Sequence, residues 1–195
     1  FKLISSEVRL IDGIYYGGAV IDSGKEAEIQ LRFGEKILSA ASYLPNVRLS
    51  IPPMHRKNLQ RLKDTGTASL SSNIEVWEPH IFAEVCPAKS RYRGYERYLE
   101  FYQEAVDVFG AGNVSCTFVA GVSLMAANGH RTWQESRDSL IEAFRWLIKN
   151  GVFPGFIPLR LGVGSVYGDD KSNWEKVAPP EYYLDASIAH HDLMM

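Results

Sequence analysis

The chain has 195 residues, of which 46% are apolar and 23% charged, and its formal net charge is −2. This length and apolar content are enough to bury a core, so we expect residues 1–195 to form a single domain or one large piece of a domain. The near-neutral charge argues against binding to nucleic acid or to an anionic membrane surface. No apolar run approaches the length of about 20 residues that spans a bilayer. Two cysteines are too few for a disulfide framework and fit a reducing compartment, so we expect a cytoplasmic protein. The near-neutral charge favours a small-molecule substrate as its partner.

Five short apolar runs have strand character, and helical patterns separate most of them. The runs are residues 11–16, 47–51, 69–76, 113–122 and 153–161. Strands that alternate with helices imply crossover connections, which predicts an α/β fold with a mainly parallel sheet. Pro154 and Pro158 cannot donate ladder hydrogen bonds, so the last strand is expected either to lie at an edge or to be broken. A closed barrel of eight strands would need more strands than these.

Helical periodicity predicts most of the connections between these strands. Apolar residues recur at helical spacing in 25–44, near Leu59 and Leu62, in 98–109 and in 140–148, and a final helix follows Pro179-Pro180. Thr132 and Glu135 have the spacing of a capping box, which predicts that a helix begins there. The segment Trp77–Arg93 is expected to be a loop.

Chemistry in a parallel sheet gathers at the carboxyl ends of the strands. Asn73 and Glu75 are two apart in one predicted strand, so their side chains should leave one face and hold a ligand's hydroxyl or ammonium groups. The alternative is a polar strand end that meets water or fastens the next loop. Gly17-Gly18 permits a close backbone approach by a ligand, or forms a plain turn. Arg97 lies in a first helical turn, where the macrodipole disfavours a cation, so it meets a ligand carboxylate or is a solvated surface residue.

Other chemical motifs are weak. Cys86 follows His80 by six residues, but protein metal sites usually need three or four ligands, so we expect no metal site on this pair. Cys116 lies inside a strand run, where an inert, buried thiol is expected. His190 and His191 point about 100° apart on a helix and should be structural or solvated. No zinc signature, dinucleotide fingerprint or nucleophile elbow occurs at convincing spacing.

Taken together, these segments resemble the radical S-adenosylmethionine (SAM) superfamily, especially its biotin synthase-like branch. Residues 14–18, Ile-Tyr-Tyr-Gly-Gly, are similar to the second barrel strand and the Gly-Gly-Glu motif that meets the SAM amino group. Ala19 stands in place of the acid of that motif. Asn73-Ile74-Glu75 is similar to the polar pair on the fourth strand that contacts SAM.

Two further segments carry the resemblance. Residues 95–99, Tyr-Glu-Arg-Tyr-Leu, are similar to the helix start whose arginine, here Arg97, meets the SAM carboxylate. Residues 118–122, Phe-Val-Ala-Gly-Val, resemble the fifth-strand motif that packs against the adenine, with Leu124 where the family often has an acid. The SAM-binding residues that the resemblance implies are Gly17, Gly18, Asn73, Glu75, Arg97 and Gly121.

The resemblance implies strands two to six of a (β/α)₆ partial barrel. An intact relative cleaves SAM reductively at a 4Fe-4S cluster and so forms a 5′-deoxyadenosyl radical that abstracts hydrogen from a substrate. Neither Cys86 nor Cys116 has the place or spacing of the family's three-cysteine motif. We interpret the chain as truncated before Phe1, so we expect the cluster cysteines upstream and expect this fragment to be inactive by itself. Natural loss of the cluster is the rival explanation.

Two other classes of function stay open. One is a cluster-free, non-catalytic barrel that binds a small molecule or a partner. The other is a conventional barrel enzyme that uses Glu75 and Glu7 as acid and base. Affinity for SAM distinguishes the radical SAM hypothesis from the acid–base hypothesis, because an acid–base enzyme needs no SAM.

Overall fold

The structure is a computed structural model that describes residues 13–17, 26–40 and 46–195. Expectations that fall on Glu7, Gly18 and Ala19 lie outside the described residues.

Five strands form one sheet in the order β1-β2-β3-β4-β5. They are β1 (Gly13–Gly17), β2 (Asn46–Ser50), β3 (Ser69–Ser71), β4 (Val114–Ala120) and β5 (Val152–Pro158). Strands β1 to β4 pair with their neighbours in parallel. Among the described strands the sheet is not closed, and β1 and β5 lie at its two edges. The predicted α/β class, the parallel pairing and the edge position of the last strand are therefore confirmed.

Seven α-helices connect or follow the described strands. They are α1 (Glu26–Ala40), α2 (Arg56–Asp64), α3 (Pro79–Val85), α4 (Pro87–Tyr92), α5 (Tyr95–Phe109), α6 (Trp133–Lys149) and α7 (Pro180–Met194). Short 3₁₀ segments occupy Val122–Leu124 and Lys171–Lys176. Within the part of the chain that the structure describes, no helix has both the length and the apolar character needed to cross a membrane.

Two predictions about local structure were wrong. The segment Trp77–Arg93 is not a loop but contains α3 and α4, each of which has a proline in its first turn. Proline suits that position because its φ is already helical and its missing N–H would have no helical partner. The strand predicted over 69–76 ends at Ser71, and beyond it Glu75 forms only an isolated parallel bridge with Phe118, with a left-handed backbone conformation at φ of 73°.

The chain divides into two compact units. The first unit comprises Phe1–Ser72, Glu96–Ser115 and Asn150–Val152, within the limits of the described residues. Its core contains side chains with no exposed surface from α1, β2, α2 and α5, among them Leu31, Leu49, Leu59 and Phe101.

The second unit comprises Asn73–Tyr95, Cys116–Lys149 and Phe153–Met195. Aromatic rings pack together in this unit. Phe144 on α6 lies with its ring centroid 6.1 Å from that of Phe118 on β4 and 6.0 Å from that of Phe156 on β5. The expectation that residues 1–195 form a single domain stays a prediction.

Candidate functional site

The segment between β3 and α3 carries the polar pair predicted from the sequence, and Lys89 holds it. The ammonium of Lys89, on α4, donates to the backbone carbonyl of Asn73 at 2.8 Å and forms an ion pair with the Glu75 carboxylate. The side chains of Glu75 and Lys89 are only 23% and 22% exposed. The ion pair is therefore partly shielded from the solvent that weakens surface pairs.

The unusual backbone of this segment is held by β4. Glu75 is the non-glycine residue with positive φ within the described ranges, and such a conformation costs about 1–3 kcal/mol. Its carbonyl accepts a hydrogen bond from the Val119 N–H at 2.9 Å. The Thr117 N–H donates to Asn73 Oδ1 at 3.1 Å. Asn73 and Glu75 therefore do not continue a strand as predicted, since the Asn73 amide fastens the segment to β4 and the Glu75 carboxylate meets Lys89.

The two cysteines offer no cluster site. Cys86 is half-buried, and burial raises the pKa of its thiol to about 11, although the nearby Lys89 charge opposes this shift. At neutral pH this thiol is therefore protonated. Cys116 is fully buried in β4, as predicted. Among the described residues, no group of three or more His, Cys, Asp or Glu side chains is placed to hold a metal ion, so these residues do not fit a 4Fe-4S cluster.

Arg97 lies in the first turn of α5, as the sequence predicted. It belongs to the first unit. Its guanidinium donates to both carboxylate oxygens of Glu104, each at 2.9 Å, and to the Met54 carbonyl at 2.8 Å. The hydrogen bonds to Glu104 raise the pKa of Arg97 and lower the pKa of Glu104. The guanidinium thus already binds one carboxylate in the bidentate geometry that a ligand carboxylate would require.

Gly17 ends β1 and lies opposite Ser50 on β2, also within the first unit. A Cβ atom at Gly17 would lie 2.9 Å from the Ser50 Cβ atom, which is too close for two carbon atoms. Packing between β1 and β2 is therefore sufficient to require glycine here. A ligand role for Gly17 stays a prediction, as it does for Gly18.

Gly121 follows β4 in the second unit and has a φ of 90°, a conformation that favours glycine. A Cβ atom there would lie 3.6 Å from the Tyr183 hydroxyl and 3.5 Å from the Ala178 Cβ atom, both also in the second unit. Near this turn, the buried hydroxyl of Tyr182 accepts hydrogen bonds from the Gly121 backbone and, at 3.3 Å, from the Ser136 hydroxyl. The requirement for glycine at this turn comes from the backbone, and a contact with adenine stays a prediction.

Sequence reasoning missed Lys89. The segment around it was interpreted as a loop, so no face or partner could be assigned to this side chain. Pro87 was the available signal, because a proline in the first turn places Lys89 at the beginning of a helix.

Comparison with solved structures identifies the fold of this chain. No family model matches the chain. HydG, a maturase of the [FeFe]-hydrogenase, has a TM-score of 0.61 at 12% identity, over 92% of this chain and 44% of its own. Coproporphyrinogen III oxidase (HemN) from Escherichia coli, a radical SAM enzyme, has a TM-score of 0.59 at 12% identity, over 91% of this chain and 38% of its own. The chain has the fold of a radical SAM enzyme.

One curated protein matches part of this chain in sequence. Bacteriochlorophyllide c C-7(1)-hydroxylase from Chlorobaculum limnaeum is 27% identical over 106 residues, which are 54% of this chain and 24% of that protein. The chain thus spans about a quarter of this relative and less than half of either solved structure. The fold likeness confirms the predicted partial radical SAM barrel. The assignment to the biotin synthase-like branch stays a prediction.

Proposed function

We propose that this chain is part of a radical SAM enzyme and that it contributes residues that bind SAM. The main support is the fold likeness, which extends over 91% of the chain for HemN, itself a radical SAM enzyme. In an intact enzyme of this kind, a 4Fe-4S cluster supplies the electron that cleaves SAM. The cluster is proposed to be held by cysteines outside this chain, because the described residues do not fit it.

Glu75 is suited to bind the ribose hydroxyl groups of SAM. Its Oε1 atom pairs with Lys89, and among the described residues no partner approaches Oε2. An ionised carboxylate only accepts hydrogen bonds, so Oε2 is an acceptor for ligand hydroxyls. At Arg97, the methionine carboxylate of SAM would replace Glu104, whose carboxylate holds both guanidinium donors in the structure. Gly17, Gly18, Asn73 and Gly121 complete the proposed set.

Equilibrium dialysis with radiolabelled SAM tests this function. We expect saturable binding by the wild-type chain. Glu75→Gln should weaken the affinity about tenfold, which corresponds to about 1.4 kcal/mol, because a neutral amide replaces a charge-assisted acceptor. Glu142→Gln, the same change on an exposed position of α6, should leave the affinity unchanged.

Two results would contradict the proposal. A folded wild-type chain that binds no SAM would favour the cluster-free barrel that recognises a different molecule. Equal losses of affinity in Glu75→Gln and Glu142→Gln would show that the Glu75 carboxylate has no specific part in binding.

A further inference from the structure

We infer that Lys89 is a positioning residue that fixes the Glu75 carboxylate for ligand hydroxyl groups and neutralises its charge. This inference rests on the proposed SAM-binding function and assigns a role to a side chain outside the proposed binding set.

The contacts of Lys89 connect two points of the segment after β3. Its ammonium group carries three donors, of which one reaches the Asn73 carbonyl at 2.8 Å and another reaches Glu75 Oε1. One cation therefore fixes a main-chain atom and a side-chain atom two residues apart. Because Lys89 lies in a helix that begins at Pro87, its own backbone is held in place.

The contacts of Lys89 act on a segment whose backbone is strained. Glu75 has a φ of 73°, and Val119 fixes its carbonyl but not its side chain. Without Lys89, the carboxylate would be free to rotate toward water, since its side chain is still 23% exposed. Ordering a flexible glutamate costs about 0.5–1.5 kcal/mol on binding, and an ion pair that orders it beforehand removes that cost.

The charge of Lys89 also bears on which ligand group Glu75 meets. An isolated carboxylate attracts any cation, including an ammonium group. The carboxylate paired with Lys89 has its charge balanced, so the ligand group it favours is a neutral donor such as a hydroxyl. Lys89 thereby favours the ribose hydroxyls over the amino group of SAM as the partner of Glu75.

SAM affinities of four chains test the inference: wild type, Lys89→Met, Lys89→Arg and Lys57→Met. Lys57 is an exposed lysine in the first turn of α2 and serves as the matched control. We expect Lys89→Met to weaken SAM binding about tenfold, Lys89→Arg to weaken it less because arginine retains the charge and donors, and Lys57→Met to have no effect. Affinity for SAM in Lys89→Met within twofold of wild type would overturn the inference.

A double-mutant cycle separates positioning from a general structural role. If Lys89 acts through Glu75, Lys89→Met should cause no further loss of SAM affinity in the Glu75→Gln background. Additive losses would overturn the inference, because they would show that Lys89 acts on binding by a different route.

The same cycle, measured by urea unfolding without ligand, distinguishes failure of this inference from failure of the proposed function. We expect the two substitutions together to destabilise the chain less than the sum of their separate effects. If the wild-type chain binds no SAM but unfolding shows this coupling, the SAM-binding function fails and the hold of Lys89 on Glu75 is supported. Additive unfolding effects overturn the role of Lys89 even if SAM binds.

Discussion

Replacing Gly129 with alanine would disrupt the loop that follows β4. A Cβ atom at this position would lie 1.8 Å from the Ser123 carbonyl oxygen and 3.1 Å from the Ala126 Cβ atom. The next residue, His130, donates its backbone N–H to the same Ser123 oxygen at 3.1 Å. Gly129→Ala therefore requires the loop to move and this hydrogen bond to break.

The size of the effect follows from these distances. An ordinary separation between a carbon and a carbonyl oxygen is about 3.3 Å, so the two atoms must move apart by about 1.5 Å. Ser123 is only 4% exposed, so the move takes place inside a packed region. Overpacking costs about 1–3 kcal/mol and the lost hydrogen bond about 0.5–1.5 kcal/mol, which gives a total of about 1.5–4.5 kcal/mol. For a chain of this size, each kcal/mol lowers Tm by about 2–4 °C.

Urea unfolding followed by circular dichroism measures this loss, and Gly162→Ala provides the control. Gly162 also lies in a loop of the second unit, but nothing lies within 4 Å of the position that its Cβ atom would take. We expect the control to be neutral or slightly stabilising, because alanine lowers the entropy of the unfolded chain. A free energy of unfolding for Gly129→Ala within about 0.5 kcal/mol of that for Gly162→Ala would refute the steric argument.

Two further predictions concern buried polar contacts. Tyr102→Phe removes the hydroxyl that donates to the buried Ser72 carbonyl at 2.6 Å, so it should lower the free energy of unfolding by about 1–3 kcal/mol. The control is Tyr92→Phe on α4, a partly exposed tyrosine, which should change the free energy of unfolding little. Equal effects of the two substitutions would contradict this prediction. His130 Nε2 lies 3.2 Å from Glu78 Oε1, and this hydrogen bond raises the pKa of His130 above 6.5. Burial opposes ionisation of Glu78, but hydrogen bonds, chiefly from His130, outweigh it and hold the pKa of Glu78 below 4.5. The stabilisation that comes from protonated His130 is complete below pH 6.5 and is lost as the pH rises through the raised pKa of His130. The stabilisation that comes from ionised Glu78 is present above pH 4.5 and is lost as the pH falls through the lowered pKa of Glu78. The difference in unfolding free energy between wild type and His130→Gln should therefore be larger at about pH 5.5 than at about pH 8.5, and a difference independent of pH would contradict the pairing.

Much of the fold is encoded in short stretches of sequence, because strand and helix patterns repeat within a few residues. The capping box illustrates this. Glu135 accepts hydrogen bonds from the N–H groups of Thr132 and Arg131, and Thr132 Oγ1 accepts one from the Glu135 N–H at 3.2 Å. All of these partners lie within four residues of each other, so the spacing alone was enough to predict them.

The prolines show where local patterns mislead. Proline both interrupts helices and begins them, and the segment that contains Pro79 and Pro87 was predicted to be a loop although both residues begin helices. The run 69–76 was likewise read as one strand, although Glu75 leaves the extended conformation. Its left-handed backbone is held by hydrogen bonds to β4, more than forty residues further along the chain.

The sequence by itself determined the succession of the strands and of most helices, the parallel sheet, the edge position of β5 and the resemblance to radical SAM enzymes, but it did not reveal α3 and α4. Only the tertiary structure decided which atoms the polar residues meet. Glu75 and Lys89 are fourteen residues apart, and Arg97 reaches Glu104 two helical turns away. Ion pairs at such separations depend on the directions in which folded elements present their side chains, and residue spacing in a sequence carries little information about those directions.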